Sequence, residues 1–200
     1  GPIAHQSRDG SLTTPVRLLE IGVWQGGSLQ LWRKYLGDSA VIFGVDIAES
    51  CRNLKDIGCE IRVGSQTDSQ FLMSVVQEMG GVDIIVDDGS HQCDHVIQTF
   101  KVLFPLLSNG GFYFVEDLHT SYWPQWKGGL RRPGTSIEFF KNLLDVVNSE
   151  YFRSRPMKQP AFAQSDHVQS VEVADSLVAV RKQSPRSSEI FYGGQHDPAY

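Results

Sequence analysis

Two stretches, VDIIVDDGSH at residues 82–91 and GGFYFVEDLH at residues 110–119, decide how this chain folds. Each is a short apolar run rich in Val, Ile and Phe that breaks off in paired acids and a histidine. Such runs read as strands buried on both faces, the pattern of a parallel sheet, and open α/β sheets gather their ligand sites at the carboxyl ends of their strands. Two neighbouring strands of this kind bring Asp87, Asp88, Glu116 and Asp117 into one crevice with His91 and His119. A lone Asp-Asp-Gly is ordinarily a turn. Here the acids repeat at two strand ends without basic residues nearby, and carboxylates held that close repel unless a cation or a shared proton relieves them. An oxygen-rich set of this kind suits a hard divalent cation, with a histidine at hand to move a proton.

Outward from these runs the chain alternates. Further strands are expected over 16–23, 41–47 and 60–63, beside 82–87 and 111–116. Helical spacing joins Phe71, Leu72, Val75, Val76 and Met79, and again Ile97, Phe100, Leu103, Phe104 and Leu107, with Asn109-Gly110-Gly111 as the stop. Alternation of this type specifies a parallel sheet with right-handed crossovers and helices on both faces. Another helix is expected from Ser136 to about Tyr151, burying Ile137, Phe140, Leu144 and Val147. Residues 168–174 and 177–182 are β-rich runs separated only by Asp175-Ser176, too short for a crossover, so they form an antiparallel hairpin at the sheet edge. The expected architecture is an α/β, mostly parallel seven-stranded sheet closed by that hairpin.

Two hundred residues, 40% of them hydrophobic, suffice for one domain with a sizeable core. The domain is expected over 16–183, with flexible ends at 1–15 and 184–200; the opening Gly-Pro reads as a tag-cleavage scar. A net charge of −5 argues against a nucleic-acid binder. No stretch has the length of a membrane span and no signal segment opens the chain, which therefore reads as cytoplasmic. Cys51, Cys59 and Cys93 are odd in number and lack metal-binding spacing, so they read as reduced thiols.

The stretch RLLEIGVWQGGSLQLW, residues 17–32, carries a cofactor signal. Glu20, Gly22 and Gly26 form E-x-G-x-x-x-G across a strand-to-helix turn, where glycines admit a ligand to the backbone and the helix start offers free N–H groups. Asp46 closes the second strand, where an acid can accept both ribose hydroxyls; a solvated strand end is the plainer alternative. Residues 64–68 end the third strand beside the expected adenine site, though a helix cap at Thr67 or Asp68 explains them nearly as well.

Together, LEIGVWQGGS, GVDI, VDDGSH and VEDLHTSYWP resemble the class I S-adenosylmethionine-dependent, metal-dependent O-methyltransferases that act on sugars. That group is typified by the mycinamicin deoxysugar and rhamnosyl O-methyltransferases, and the mycobacterial enzymes that methylate mannosides are similar. The resemblance spans residues 16–126 and implies a Rossmann-like class I methyltransferase fold. It implies that Asp88, Glu116 and Asp117 bind a Mg2+-like ion, that His91 is the general base, and that Gly22, Ser28, Asp46, Ser65 and Gln66 hold S-adenosylmethionine. Glu20, Gly26 and Asp87 are assigned to the same donor site. Trp24 replaces the middle glycine of the commoner E/D-x-G-x-G-x-G pattern, and the helical segment that usually precedes the first strand is nearly absent.

A sugar hydroxyl is a poor nucleophile at neutral pH, and a divalent ion can stabilise its alkoxide. His91, with an ordinary pKa of about 6.5, suits proton acceptance, although a histidine that only hydrogen-bonds a helix start looks the same. His119 is open between a supporting partner, a substrate contact and an alternative base. Tyr122 and Trp123, on an aromatic loop expected to be mobile, suit a sugar ring, a dimer interface or a plain loop anchor. The leading expectation is a sugar O-methyltransferase acting on a small-molecule or oligosaccharide substrate as a homodimer. A catechol or phenol methyltransferase and an inactive donor-binding module stand beside it.

Overall fold

A computed structural model describes residues 15–54, 58–149 and 162–184; apart from Pro15 and Ser184 the expected flexible ends lie outside the described residues, and the fourth helix, expected to about Tyr151, ends at Val147 with Asn148 as its cap. Seven strands form one sheet: β1 (Arg17–Ile21), β2 (Val41–Asp46), β3 (Glu60–Val63), β4 (Val82–Asp87), β5 (Leu107–Val115), β6 (Val168–Ala174) and β7 (Leu177–Lys182). Their order is β3-β2-β1-β4-β5-β7-β6. The first five are parallel, β7 runs antiparallel to β5, and β6 pairs antiparallel with β7. The two acid-ended runs are thus adjacent, with Asp87 level with Val115.

Period-two alternation splits the core between the two faces. Leu18 and Ile42 pack with Leu29 under α1 (Gly27–Leu36). Leu19, Ile21, Phe43 and Val45 pack on the opposite face against α2 (Ser69–Met79), α3 (Cys93–Leu103) and α4 (Ser136–Val147). Helices cover both faces, as expected, and no described helix is long and apolar enough to cross a membrane.

Several element boundaries differ from expectation. β1 is trimmed to Arg17–Ile21 because Gly22 already turns with φ 94°. α3 stops at Leu103, since Pro105 tightens the chain into a 3-10 turn. β5 therefore starts at Leu107, and Asn109-Gly110-Gly111 lie inside the strand, beside a register shift at Val82/Ile84. The buried stripe of α4 is Phe140, Leu143 and Val146, whereas Leu144 is 55% exposed.

The exits of β1 and β4 are joined by the Asp88 N–H donating to the Ile21 carbonyl at 2.8 Å. A Cβ on Gly22 would lie 2.1 Å from the Asp88 carbonyl oxygen, at a φ that disfavours side chains anyway, whereas one on Gly27 would meet nothing within 4 Å. Gly22→Ala should cost roughly 2–5 kcal/mol in urea denaturation through strain and overlap. Gly27→Ala, inside a helix, should be neutral or stabilise by up to about 1 kcal/mol. Similar losses in both variants would contradict this account.

Candidate active site

The turn from β1 into α1 is built from unusual backbone. Gly22 has φ 94°, Gly26 caps the helix at φ 75°, and Trp24, a bulky residue, sits at φ 48° with its side chain 81% exposed. The helix has no side-chain cap and no acid in its first turn, so its N–H groups face the cleft unopposed. Asp46 braces the turn, accepting the N–H of Val23 at 2.8 Å, of Trp24 at 2.9 Å and of Ala48 at 2.8 Å. Burial opposes the Asp46 charge, but these backbone donors outweigh it and hold the carboxyl below its ordinary value.

Glu20 points away from the cleft. Only 1% exposed, it accepts hydrogen bonds from Ser28 Oγ and, at 2.8 Å, from Trp32 Nε1, which tie β1 to α1. Burial pushes its carboxyl up to about 7 despite both donors. The expected donor contact is therefore a support behind the turn. Trp32 is its partner, which sequence reasoning missed because an amphipathic helix position carries no such signal.

The paired acids separate by role. Asp87 is 1% exposed, accepts from Tyr113 OH at 3.2 Å and from Gln66 Nε2 at 3.3 Å, and burial lifts its carboxyl to about 7. It does not line the cleft, contrary to its expected place in the donor site. Asp88, His91 and Asp117 do converge there, each offering an atom within 4.8 Å of the others'. His91 Nε2 stands 3.7 Å from Asp117 Oδ2, and His119 Nδ1 stands 3.8 Å from Asp117 Oδ1. Burial, and then the charge of Asp117, raises Asp88; burial followed by Asp88 and Asp117 raises Glu116. Glu116 shares the field of the cluster but stands outside its 4.8 Å group. Among the described residues no Lys or Arg pairs with these three acids. Two facing carboxylates with an imidazole and no cationic partner fit a divalent ion. Burial lowers His91, against the pull of Asp117, which favours the neutral ring that can accept a proton.

Two cavities meet at this edge of the sheet. The larger, about 680 Å³, runs from Trp24 and Ser28 to Asp88, His91 and Asp117. The smaller, about 190 Å³, lies between Ile21 and Ile47 on one side and Ser65, Gln66 and His95 on the other. Gly22, Asp46 and Gly89 line both. None of His119, Tyr122 and Trp123 lines either cavity; the aromatic loop that carries them is tied by hydrogen bonds from Ser121 Oγ to the Leu118 carbonyl at 2.6 Å and from Gly129 N–H to the Ser121 carbonyl at 2.8 Å. Trp123 packs edge-on against His119 at 4.7 Å and tilts toward Trp126 at 5.5 Å, and Tyr122 is 39% exposed. Ser176, at the tip of the β6–β7 hairpin, holds His119 through an Oγ···Nδ1 hydrogen bond. A contact so distant in sequence left no local signal.

Residues 19–118 match the family model described as a methyltransferase domain. The L-olivosyl-oleandolide 3-O-methyltransferase of Streptomyces antibioticus is 41% identical over 68% of this chain and 37% of its own. The mycinamicin VI 2''-O-methyltransferase of Micromonospora griseorubida is 36% identical over 74% of this chain and 39% of its own. Among solved structures, the MycE methyltransferase of the mycinamycin biosynthetic pathway, in complex with Mg and SAH, superposes with a TM-score of 0.80. It is 31% identical over 92% of this chain and 48% of its own. The chain thus spans less than half the length of the curated relatives it matches.

Because Glu20 titrates near 7 when folded but near its ordinary 4.5 when unfolded, the folded protein binds this proton more tightly. Its contribution to stability is present below pH 4.5 and lost as pH rises through about 7. Asp87, raised from 3.8 to about 7, acts in the same direction. Glu20→Gln should therefore flatten, without abolishing, the fall in melting temperature between those limits. An unchanged slope would place the Glu20 proton elsewhere.

Proposed function

This chain belongs to the methyltransferase-domain family and has its class I, Rossmann-like fold, and on that premise we propose that it methylates a sugar hydroxyl of a glycoside. S-adenosylmethionine is the donor and a divalent ion, Mg2+ first, is required. The observation that carries this reading is the meeting of Asp88, His91 and Asp117 on the wall of the cleft that also contains the glycine turn. The relatives support it by name, being O-methyltransferases of glycosylated substrates, and MycE has been solved with Mg, SAH and mycinamycin VI.

In this reading the donor's amino-acid end lies over Gly22, Gly26 and Ser28, against the open helix start. The ribose lies at Asp46, which reaches both cavities, and the adenine lies in the smaller one beside Ser65. Glu20, Gln66 and Asp87 support this bed from behind. Asp88 and Asp117, with Glu116 adjoining, hold the ion, which when bound stabilises negative charge on the acceptor oxygen. His91 takes the hydroxyl proton on its imidazole as the oxygen attacks the methyl carbon in line, the carbon–sulfur bond breaks, and S-adenosylhomocysteine leaves. His119, Tyr122 and Trp123 form the acceptor wall, fixed at His119 by Ser176. Aromatic faces suit the apolar face of a pyranose. We assign the working assembly as a homodimer.

Exhaustive chelation should abolish methyl transfer to glycoside acceptors, and Mg2+ should restore it and raise the melting temperature. Asp88→Ala and Asp117→Ala should lose both responses. Full turnover in chelator would refute the metal role.

His91→Ala should lower kcat roughly a hundredfold or more, the usual scale for a general base, while SAH affinity by calorimetry stays nearly unchanged. His119→Ala should act mainly on the acceptor KM. The reverse pattern would move the proton transfer to the β5 exit.

A further inference from the structure

Gln66 was expected to touch the methyl donor, yet its side chain is 8% exposed and spends its amide on the protein. Nε2 donates to Asp87 Oδ1 at 3.3 Å and to Thr99 Oγ1 at 3.1 Å. Oε1 accepts the N–H of Ser90 at 2.7 Å. One planar group thereby joins the loop after β3, the exit of β4, helix α3, and the turn between Asp88 and His91. Gly89 makes the last bond feasible, because a Cβ there would lie 2.4 Å from Gln66 Oε1. From the other side the turn is held by Asp88 N–H on the Ile21 carbonyl.

This bracket stands between the two cavities. Gln66, Gly89 and Ser90 line the smaller one, whereas Asp88, Gly89 and His91 line the larger. Anything seated in the smaller cavity rests on the backbone that presents Asp88 and His91 to the cleft. Ordering that turn for one ligand lowers what the second must expend to order it again.

Resting on the donor and metal assignments above, we infer that Gln66 is a positioning residue through which donor and divalent cation strengthen each other's binding. Coupling of this kind is reciprocal. It does not need the donor's sulfonium charge, so the neutral-sulfur product S-adenosylhomocysteine reports it.

The test is calorimetry of S-adenosylhomocysteine with and without saturating Mg2+, on the full chain. In the unaltered protein Mg2+ should tighten the nucleoside by about fivefold or more, the lower end of typical coupling. Gln66→Met keeps the side-chain length but cannot bridge, and the factor should fall toward one with each ligand still binding. Gly89→Ala, which leaves Gln66 in place but displaces its amide from the turn, should do the same and carries the test if Gln66→Met fails to fold. Asp46→Ala should weaken the nucleoside while preserving the factor, since its contact lies off the bracket. A general structural defect would instead lower affinities without erasing the factor. Absence of coupling in the unaltered protein, or its survival in the folded variants, overturns the inference alone. Failure of S-adenosylhomocysteine to bind the unaltered protein overturns it together with the donor assignment.

Discussion

The exits of β1 and β4 approach until residue 22 has no room for a side chain. That contact, Gly22 against the Asp88 carbonyl with Asp88 N–H on Ile21, fixes the rest of the site. In the order β3-β2-β1-β4-β5 these two strands flank the point where successive connections leave in opposite directions, and the crevice opens there. The glycine turn, Asp46 and the paired acids reach one cleft because the sheet brings their strand ends to that edge. Trp24, in a conformation costly for a bulky residue, is held next to this contact by Asp46, which accepts its N–H and that of Val23.

Acids are concentrated around this contact, and their differing depths keep the charge tolerable. Glu20 and Asp87 are sealed in and pushed up to about 7, so burial favours their neutral forms as pH falls toward that value. Asp88 and Glu116 are less deeply buried and are raised by burial first, then Asp88 by the charge of Asp117 and Glu116 by the charges of Asp88 and Asp117, leaving the outer group short of positive charge. A buried network in which every polar atom is answered is stiff. Tyr113, Gln66 and Thr99 around Asp87 supply that stiffness next to the Asp88 carboxylate that turns to the cleft.

The sheet was legible because its determinants are local. Short apolar runs alternating with helical patterns gave five parallel strands, three of them ending at or just before an acid, and a two-residue gap between residues 174 and 177 left no topology but a hairpin. Sequence pattern failed where chain geometry overrode it. Pro105 ended α3 early, and the α4 stripe slipped by one position because Leu143, not Leu144, faces the sheet. At the site, convergence of Asp88, Asp117 and His91 followed from strand adjacency alone. Which acid of each pair turns inward did not, because Asp87 and Asp88 are adjacent residues of the same type and only the partners Tyr113 and Gln66 distinguish them.

The two histidines are distinguished by what already occupies them. His119 is held at Nδ1 by Ser176 and packed against Trp123, so its ring is oriented as part of the rim. His91 precedes α3 at φ 56°, half-buried, with Nε2 toward Asp117 and a pKa lowered by burial. In the proposed reaction that ring, directed at the carboxylates and on the wall of the larger cleft, is the one assigned to receive the proton. The ring braced by a distant hairpin belongs, in the same proposal, to the acceptor wall. The β6–β7 hairpin, which completes the sheet, thereby also reaches the rim of the cleft, because Ser176 at its tip accepts the Leu118 N–H through its carbonyl at 2.9 Å and grips His119 through its hydroxyl.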